Sequence, residues 1–162
     1  MRIGIATDHG GFDLKESLSA RLRADGCDVL DFGAHSLKPG DDYPEFVIPL
    51  AEAVAEGQVE RGIAVCGSGI GACVCANKIP GAYASLMPDT FSARQGVEDD
   101  HINIICLGGQ TIGPSVAWEL VQSFLKAEFS HEERHLRRLA KVAGLEQQRV
   151  VPERRCVESV VK

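Results

Sequence analysis

The stretch Gly62-Ile63-Ala64-Val65-Cys66-Gly67-Ser68-Gly69-Ile70-Gly71-Ala72 decides the fold. Its first five residues are small or apolar with no polar alternation, the pattern of a short strand covered on both faces. Glycines at 67, 69 and 71 then make a turn, and Ile70–Lys78 has helix-forming composition. A strand that passes through a glycine loop into a helix is half of a β-α-β unit. The N–H groups of such a loop and the positive end of its helix make a place for an anion.

The same alternation recurs on both sides of this stretch. Arg2–Thr7, Cys27–Phe32, Ala82–Met87 and Ile102–Leu107 repeat the buried-strand pattern. Phe12–Ala24, Glu45–Glu56, Thr90–Glu98 and Gly113–Ala127 carry apolar residues at three- and four-residue spacing. Five β-α units predict a five-stranded parallel, Rossmann-like sheet with helices on both faces, a three-layer α/β/α sandwich, because parallel strands need a crossover that a helix supplies. Ser130, with Glu133 three residues on, reads as the capping box of a further, C-terminal helix. Residues 1–149 are then one domain. Residues 150–162, interrupted by Pro152 and holding Arg154-Arg155, have no place in the β-α pattern and form a tail. Lys38-Pro39-Gly40-Asp41-Asp42 reads as a surface loop.

Composition narrows the function. The 162 residues are 44% hydrophobic and 25% charged, which is ordinary for a globular domain. A net charge of −6 argues against nucleic acid or an anionic membrane as the main partner, so an anionic ligand needs a local basic pocket. No apolar run approaches the roughly 18–20 residues of a membrane span, and Met1-Arg2 leads into a strand without a signal-peptide core, so the cytoplasm is the expected compartment. The six cysteines, Cys27, Cys66, Cys73, Cys75, Cys106 and Cys156, fall mostly in apolar runs and are expected as free thiols. They contain no C-x-x-C, and the histidines at 9, 35, 101, 131 and 135 make no ligand motif, so no metal is expected.

In open parallel sheets ligands bind beyond the carboxyl ends of the strands. The residues there are Asp8-His9-Gly10-Gly11, Cys66–Gly71, Pro88-Asp89 and Gly108-Gly109-Gln110, which should converge at one edge. Gly67–Ala72 also fits G-x-G-x-x-A, with Asp89 about twenty residues on, as a dinucleotide site would have it. Against that reading, the loop follows the third strand, its helix is short, and Cys66 projects where a pyrophosphate would lie. Cys66 stands at a strand end beside a helix start, where a thiolate is favoured. The other cysteines read as small buried hydrophobes. Asp8-His9 either caps the first helix or, with two glycines admitting a ligand to the backbone, belongs to a site. Arg134 and Arg138 share a helical face and either lie on a solvated charged surface or clamp a phosphate.

Taken together, Asp8-His9-Gly10-Gly11-Phe12, Asp42-Tyr43-Pro44, Cys66-Gly67-Ser68-Gly69-Ile70-Gly71, Ala76-Asn77-Lys78 and Arg134-His135…Arg138 resemble the ribose-5-phosphate isomerase B / galactose-6-phosphate isomerase family over roughly residues 1–149. The resemblance implies an α/β/α sandwich, a homodimer or dimer of dimers with active sites shared between subunits, no metal or other cofactor, and aldose–ketose interconversion of a small sugar phosphate. By motif, Cys66 would be the base that moves a proton between C1 and C2, and Ser68 with the Gly67, Gly69, Ile70 and Gly71 amides would hold the enediolate. Asp8 would bind sugar hydroxyls or help open the ring. His9, Arg134 and Arg138 would take the phosphate, with Tyr43 and Asp100 as further substrate contacts. Two positions depart from the family pattern. Where many members have a His followed by Asn or Asp, this chain has Asp99-Asp100, with His101 just after, so His101, Asp99 and Asp100 are the candidates for ring opening. Where an Arg commonly follows the fifth strand, this chain has Gln110. These departures leave a second reading open, a relative that binds a phosphosugar without turnover.

Overall fold

A computed structural model describes residues 1–148; the 150–162 tail and Cys156 lie outside the described residues. The elements run β1 (Arg2–Thr7), a 3-10 turn (His9–Gly11), α1 (Phe12–Ala24), β2 (Asp28–Asp31), α2 (Pro44–Ala55), β3 (Arg61–Cys66), α3 (Ile70–Ala76), β4 (Ala84–Leu86), α4 (Thr90–Asp100), β5 (Ile104–Gly108), α5 (Pro114–Lys126) and α6 (Glu133–Gln148). All strand pairs are parallel, in the order β2-β1-β3-β5-β4. The chain forms two compact units, Met1–Ser130 with the sheet and a second from His131 that carries α6.

The period-two geometry of strands sorts the core into two layers. Ile3, Ile5, Ile63, Val65, Ile105 and Leu107 point to one face, where Leu14, Leu18 and Leu22 of α1, Ala93 and Val97 of α4 and Leu120, Val121 and Phe124 of α5 cover them. Ala6, Ala64, Cys66, Ile104 and Cys106 point to the other, against Val47, Leu50 and Val54 of α2 and Ala72 and Ala76 of α3. Large aliphatics fill the first layer and mostly small residues the second. The second layer therefore brings its helices close. A Cβ on Gly4 would lie 2.5 Å from Leu50 Cδ1.

Three expectations need correction. The strands were expected to be buried on both faces, but β2 alternates exposed and half-buried positions and β4 is buried only at Ala84. Both are edge strands, covered on fewer sides, and each is shorter than its apolar run. The helix α6 begins at Glu133 itself, so Glu133 is its first residue and not the third residue of a box opened by Ser130, and the Glu132 carbonyl accepts from His135 and Leu136. His131, at φ 55, turns the chain between Ser130 and the helix. Finally, Asp41 does not follow its loop to the surface, since its side chain is only 6% exposed.

Candidate active site

Strand order reverses direction between β1 and β3: the chain after β1 enters α1 on one face, and the chain after β3 enters α3 on the other. A crevice opens where such loops part. Here they part over glycine. A Cβ on Gly10 would sit 2.8 Å from the Gly67 nitrogen, and one on Gly109 would sit 2.7 Å from the Gly10 carbonyl oxygen. The β5 loop closes the group by donating from Gly109 N–H to the Cys66 carbonyl (2.8 Å) and from Gln110 N–H to the Gly67 carbonyl (3.0 Å). The expected convergence of the β1, β3 and β5 loops is thus built by main chain meeting main chain.

Within the β3 loop, Gly69 has φ +80, a conformation that L side chains rarely adopt. That turn directs its N–H to the Cys66 sulfur at 3.1 Å. Cys66 is buried, while Ser68 and Ile70 are exposed, and the Ser68 hydroxyl accepts from the Ile70 N–H at 3.3 Å. Tyr43 reaches the same loop: a Cβ on Gly71 would lie 2.8 Å from Tyr43 Cζ. The Gln110 side chain lies over Gly67, within 3.6 Å of where a Cβ would stand.

Asp8 is buried and does cap, accepting from the Gly10 N–H at 2.9 Å, but it caps the 3-10 turn ahead of α1. Its position is fixed from behind. Thr7 exchanges backbone hydrogen bonds with Gly33 and Ala34, both 2.7 Å, and donates its hydroxyl to the Asp8 carbonyl. The wholly buried Lys15 clamps that neighbouring segment, donating to Asp31 Oδ2 (2.8 Å) and the Ala34 carbonyl (2.9 Å), with Glu16 also at 2.8 Å. His9 donates its backbone N–H to Asp41 Oδ1 (2.8 Å), and its Nδ1 lies 2.7 Å from the same oxygen. That ring hydrogen bond, reinforced by the charges of Asp8 and Asp41, raises the His9 pKa above its usual value, with the little desolvation present opposing it. Neither Lys15 nor Asp41 was visible in the sequence as part of the site. No spacing rule connects positions 9 and 41, or 15 and 31.

The remaining expected residues lie elsewhere. Asp99, Asp100 and His101 close α4 at the amino end of the sheet. Gln95 donates to Asp99 Oδ2 at 2.7 Å, and the His101 ring packs on Phe129 with centroids 5.0 Å apart. His101 lines a cavity of about 480 Å³ with Arg61, Glu60, Asn103 and Glu128. The five residues of β5 separate this end from Gly108, roughly 16 Å at ~3.3 Å per residue. Asp89, the acid that a dinucleotide site would have used, is the N-cap of α4. Its carboxylate accepts from the Ser92 N–H and hydroxyl, and those hydrogen bonds hold its pKa below the usual range. Arg134 and Arg138 are one turn apart on α6, and Arg134 pairs with Glu132 at 2.7 Å.

The cysteines do not behave alike. Cys106 is fully buried, and its hydrogen bond to Cys73, with burial, pushes its thiol well up. The same bond, helped by the Leu86 N–H and Asn77, brings half-buried Cys73 down to about 6 against the opposing effect of burial. Cys73 also packs against the second core layer, as its sequence reading has it. Burial alone raises Cys75. Among the described residues, no group of three or more His, Cys, Asp or Glu could hold a metal ion, and no helix is long and apolar enough to cross a membrane.

A parallel α/β sandwich whose β1, β3 and β5 loops enclose a cysteine, a carboxylate and an amide-rich turn has the frame of an enzyme acting on a small oxygenated substrate. The chain belongs to the Ribose/Galactose Isomerase family, whose model matches residues 3–142. It is 36% identical over 147 residues to a putative sugar phosphate isomerase of Bacillus subtilis, covering 91% of this chain and 98% of the relative. Among solved structures, ribose-5-phosphate isomerase B of Clostridium thermocellum superposes with a TM-score of 0.88 at 40% identity, covering 91% of this chain and 99% of the other. Ribose-5-phosphate isomerase B of Mycoplasma genitalium, solved with bound ribulose-5-phosphate, gives 0.86 at 35% identity, covering 90% and 96%.

Proposed function

We propose that the chain interconverts ribose 5-phosphate and ribulose 5-phosphate, or a closely related pair, with Cys66 as the base. The observation that carries this reading is the sulfur at the switch point, facing a turn whose Gly69 N–H is aimed at it. On the open-chain aldose, the Cys66 thiolate takes the proton from C2, and the electron pair passes to the carbonyl at C1 to give an enediolate. The proton of the C2 hydroxyl passes to the C1 oxygen, and the same thiol returns its proton to C1, leaving the ketone at C2 and a hydroxyl at C1. The C–H acid is weak, so charge on the enediolate oxygens must be met as it forms. The Ser68 hydroxyl and those amides of the Gly67–Gly71 loop not already turned to Cys66 or Ser68 are the donors for that charge, and one preorganised donor typically supplies about 3 kcal/mol. Asp8 holds sugar hydroxyls, and Tyr43 closes the side of the pocket.

The phosphate is assigned to His9, with Arg134 and Arg138 as the further cations that the family resemblance implies. Asp99, Asp100 and His101 enter the same reaction only from a second copy of the chain, because β5 separates them from the sulfur within one. A homodimer with shared sites is therefore part of the proposal, and ring opening by Asp99 or His101 depends on it. The second reading, phosphosugar binding without turnover, rests on Asp99 and Gln110, which stand where the family commonly has His and Arg.

An assay of purified protein with ribose 5-phosphate separates the two. Turnover is expected in the wild type. Cys66→Ala should remove it, by more than about a thousandfold if the base is lost, while Cys73→Ala should retain it. Binding without turnover in the wild type would favour the second reading, and equal loss in both variants would reject Cys66 as the base.

A further inference from the structure

We propose that Asp41 is a positioning residue for phosphate binding: it holds His9 as an imidazolium, with Nδ1 turned inward and Nε2 presented to the substrate's phosphate. This rests on the isomerase reading of the same site. The geometry is a two-point grip by one oxygen. Asp41 Oδ1 accepts both the His9 backbone N–H at 2.8 Å and the ring Nδ1 at 2.7 Å, which fixes the residue's backbone and its ring together. A carboxylate only accepts, so Nδ1 carries the hydrogen and Nε2 is the free end of the ring. The two partners differ in exposure: the Asp41 side chain is 6% exposed and that of His9 41%. Asp41 Oδ2 is buried with no hydrogen-bond partner among the described residues. A carboxylate so stripped of solvent is costly unless a cation sits against it, and His9 is the cation available.

Within Met1–Ser130, the charged groups that act on His9 are Asp8 and Asp41, and both favour its protonated form. Asp8 lies on its own turn and Asp41 on the loop before α2. The loops after β3 and β5 that meet the Gly10 turn bring Cys66, Ser68 and Gln110, none of them a cation. Lys38 and Asp42 flank Asp41 and are exposed. A second, geometric consequence follows. With Nδ1 engaged behind it, the ring offers Nε2–H as a charge-assisted donor at the mouth of the crevice, beside the glycines that admit a ligand to the backbone. The phosphate is dianionic above roughly pH 6. Asp41 thus extends the pH range over which a dianion meets a charged imidazole.

The test is Asp41→Asn, which keeps the shape and removes the charge. NMR titration of the His9 ring in the full chain should show its midpoint falling. Inorganic phosphate, used as the probe, should bind roughly tenfold more weakly at pH 7.5 and nearly as well at pH 6. In turnover, KM for ribose 5-phosphate should rise by the same factor at pH 7.5, with kcat little changed, and Asp41→Glu should recover part of it. His9→Gln supplies a second route should Asp41→Asn fold poorly: it should erase the pH dependence of KM in this range. An unmoved His9 midpoint, an equal KM rise at both pH values, or a loss confined to kcat would overturn the proposal. Should the wild type turn over no sugar phosphate, the isomerase reading fails, while the NMR titration still decides whether Asp41 governs His9.

Discussion

At the carboxyl end of the sheet, Asp8, Gly10, Cys66, Tyr43 and Gln110 meet within one chain, whereas at the amino end Asp99 and Asp100 close α4 and His101 lines a cavity with Arg61 and Glu60. Both groups came from motifs spaced along the same sequence, yet only the first is assembled by the fold itself. Parallel strands laid side by side bring every β-to-α loop to one edge, so residues just after β1, β3 and β5 must meet. Residues that end a helix are carried to the opposite edge by the same rule. Within one copy, therefore, the carboxyl end holds the proposed base, the proposed oxyanion donors and Asp8, while Asp99, Asp100 and His101 stand at the opposite edge.

The comparison breaks or holds on subunit mixing. Cys66→Ala and the double variant Asp99→Ala/His101→Ala should each be inactive alone. Co-refolded in equal amounts, half of the dimers pair one chain of each kind, and each of those contains one native site of two. Recovery of roughly a quarter of wild-type turnover is expected for a site shared across a two-fold axis. No recovery, or full activity in the double variant alone, would place all of the chemistry at the carboxyl end of one chain.

What the sequence made legible follows from the same geometry. The five strands and the convergence of Gly10, Gly67 and Gly109 could be read because they depend on alternation of elements and on short local loops. The edges of β2 and β4 could not, since exposure there depends on the strand order. The Ser130 capping box was misread because His131 turns the chain before the helix begins, a backbone choice that the side-chain pattern does not reveal. Asp41 was assigned to a surface loop on composition, and its burial against His9 depends on a contact 32 residues apart in sequence. Lys15 carries no motif of its own in the sequence. Only the fold shows that it faces Asp31 and Ala34.

Lys15 also sharpens the comparison, because it supports the carboxyl-end site from beneath without touching a substrate. Lys15→Met keeps the stem and removes the charge, leaving Asp31, 19% exposed, with no ammonium beside it. Breaking one side of a largely buried pair costs about 3 kcal/mol. A urea unfolding midpoint should fall accordingly, and the Ala34–Thr7 hydrogen bonds should pass the disturbance to Asp8 as a raised KM. A stability change under about 1 kcal/mol would mean that Asp31 finds another donor and that the clamp on Thr7 does not depend on the lysine.

The smallest expected effect separates two thiols that lie close together. Cys66 stands at the strand end, and Cys73 one turn into α3, where Cys106, the Leu86 N–H and Asn77 lower its pKa to about 6. A lowered thiol pKa means that the thiolate persists as pH falls from 9 toward 6 and is lost only below that. Iodoacetamide should then label Cys73 at pH 7 about tenfold faster than Cys75, whose thiol burial pushes upward. Ribose 5-phosphate should protect Cys66 from the reagent and leave the Cys73 rate unchanged, as read by peptide mass spectrometry. Protection of Cys73 together with Cys66 would extend the site down α3, and the ionised thiol one turn along would then compete with Cys66 for the role of base.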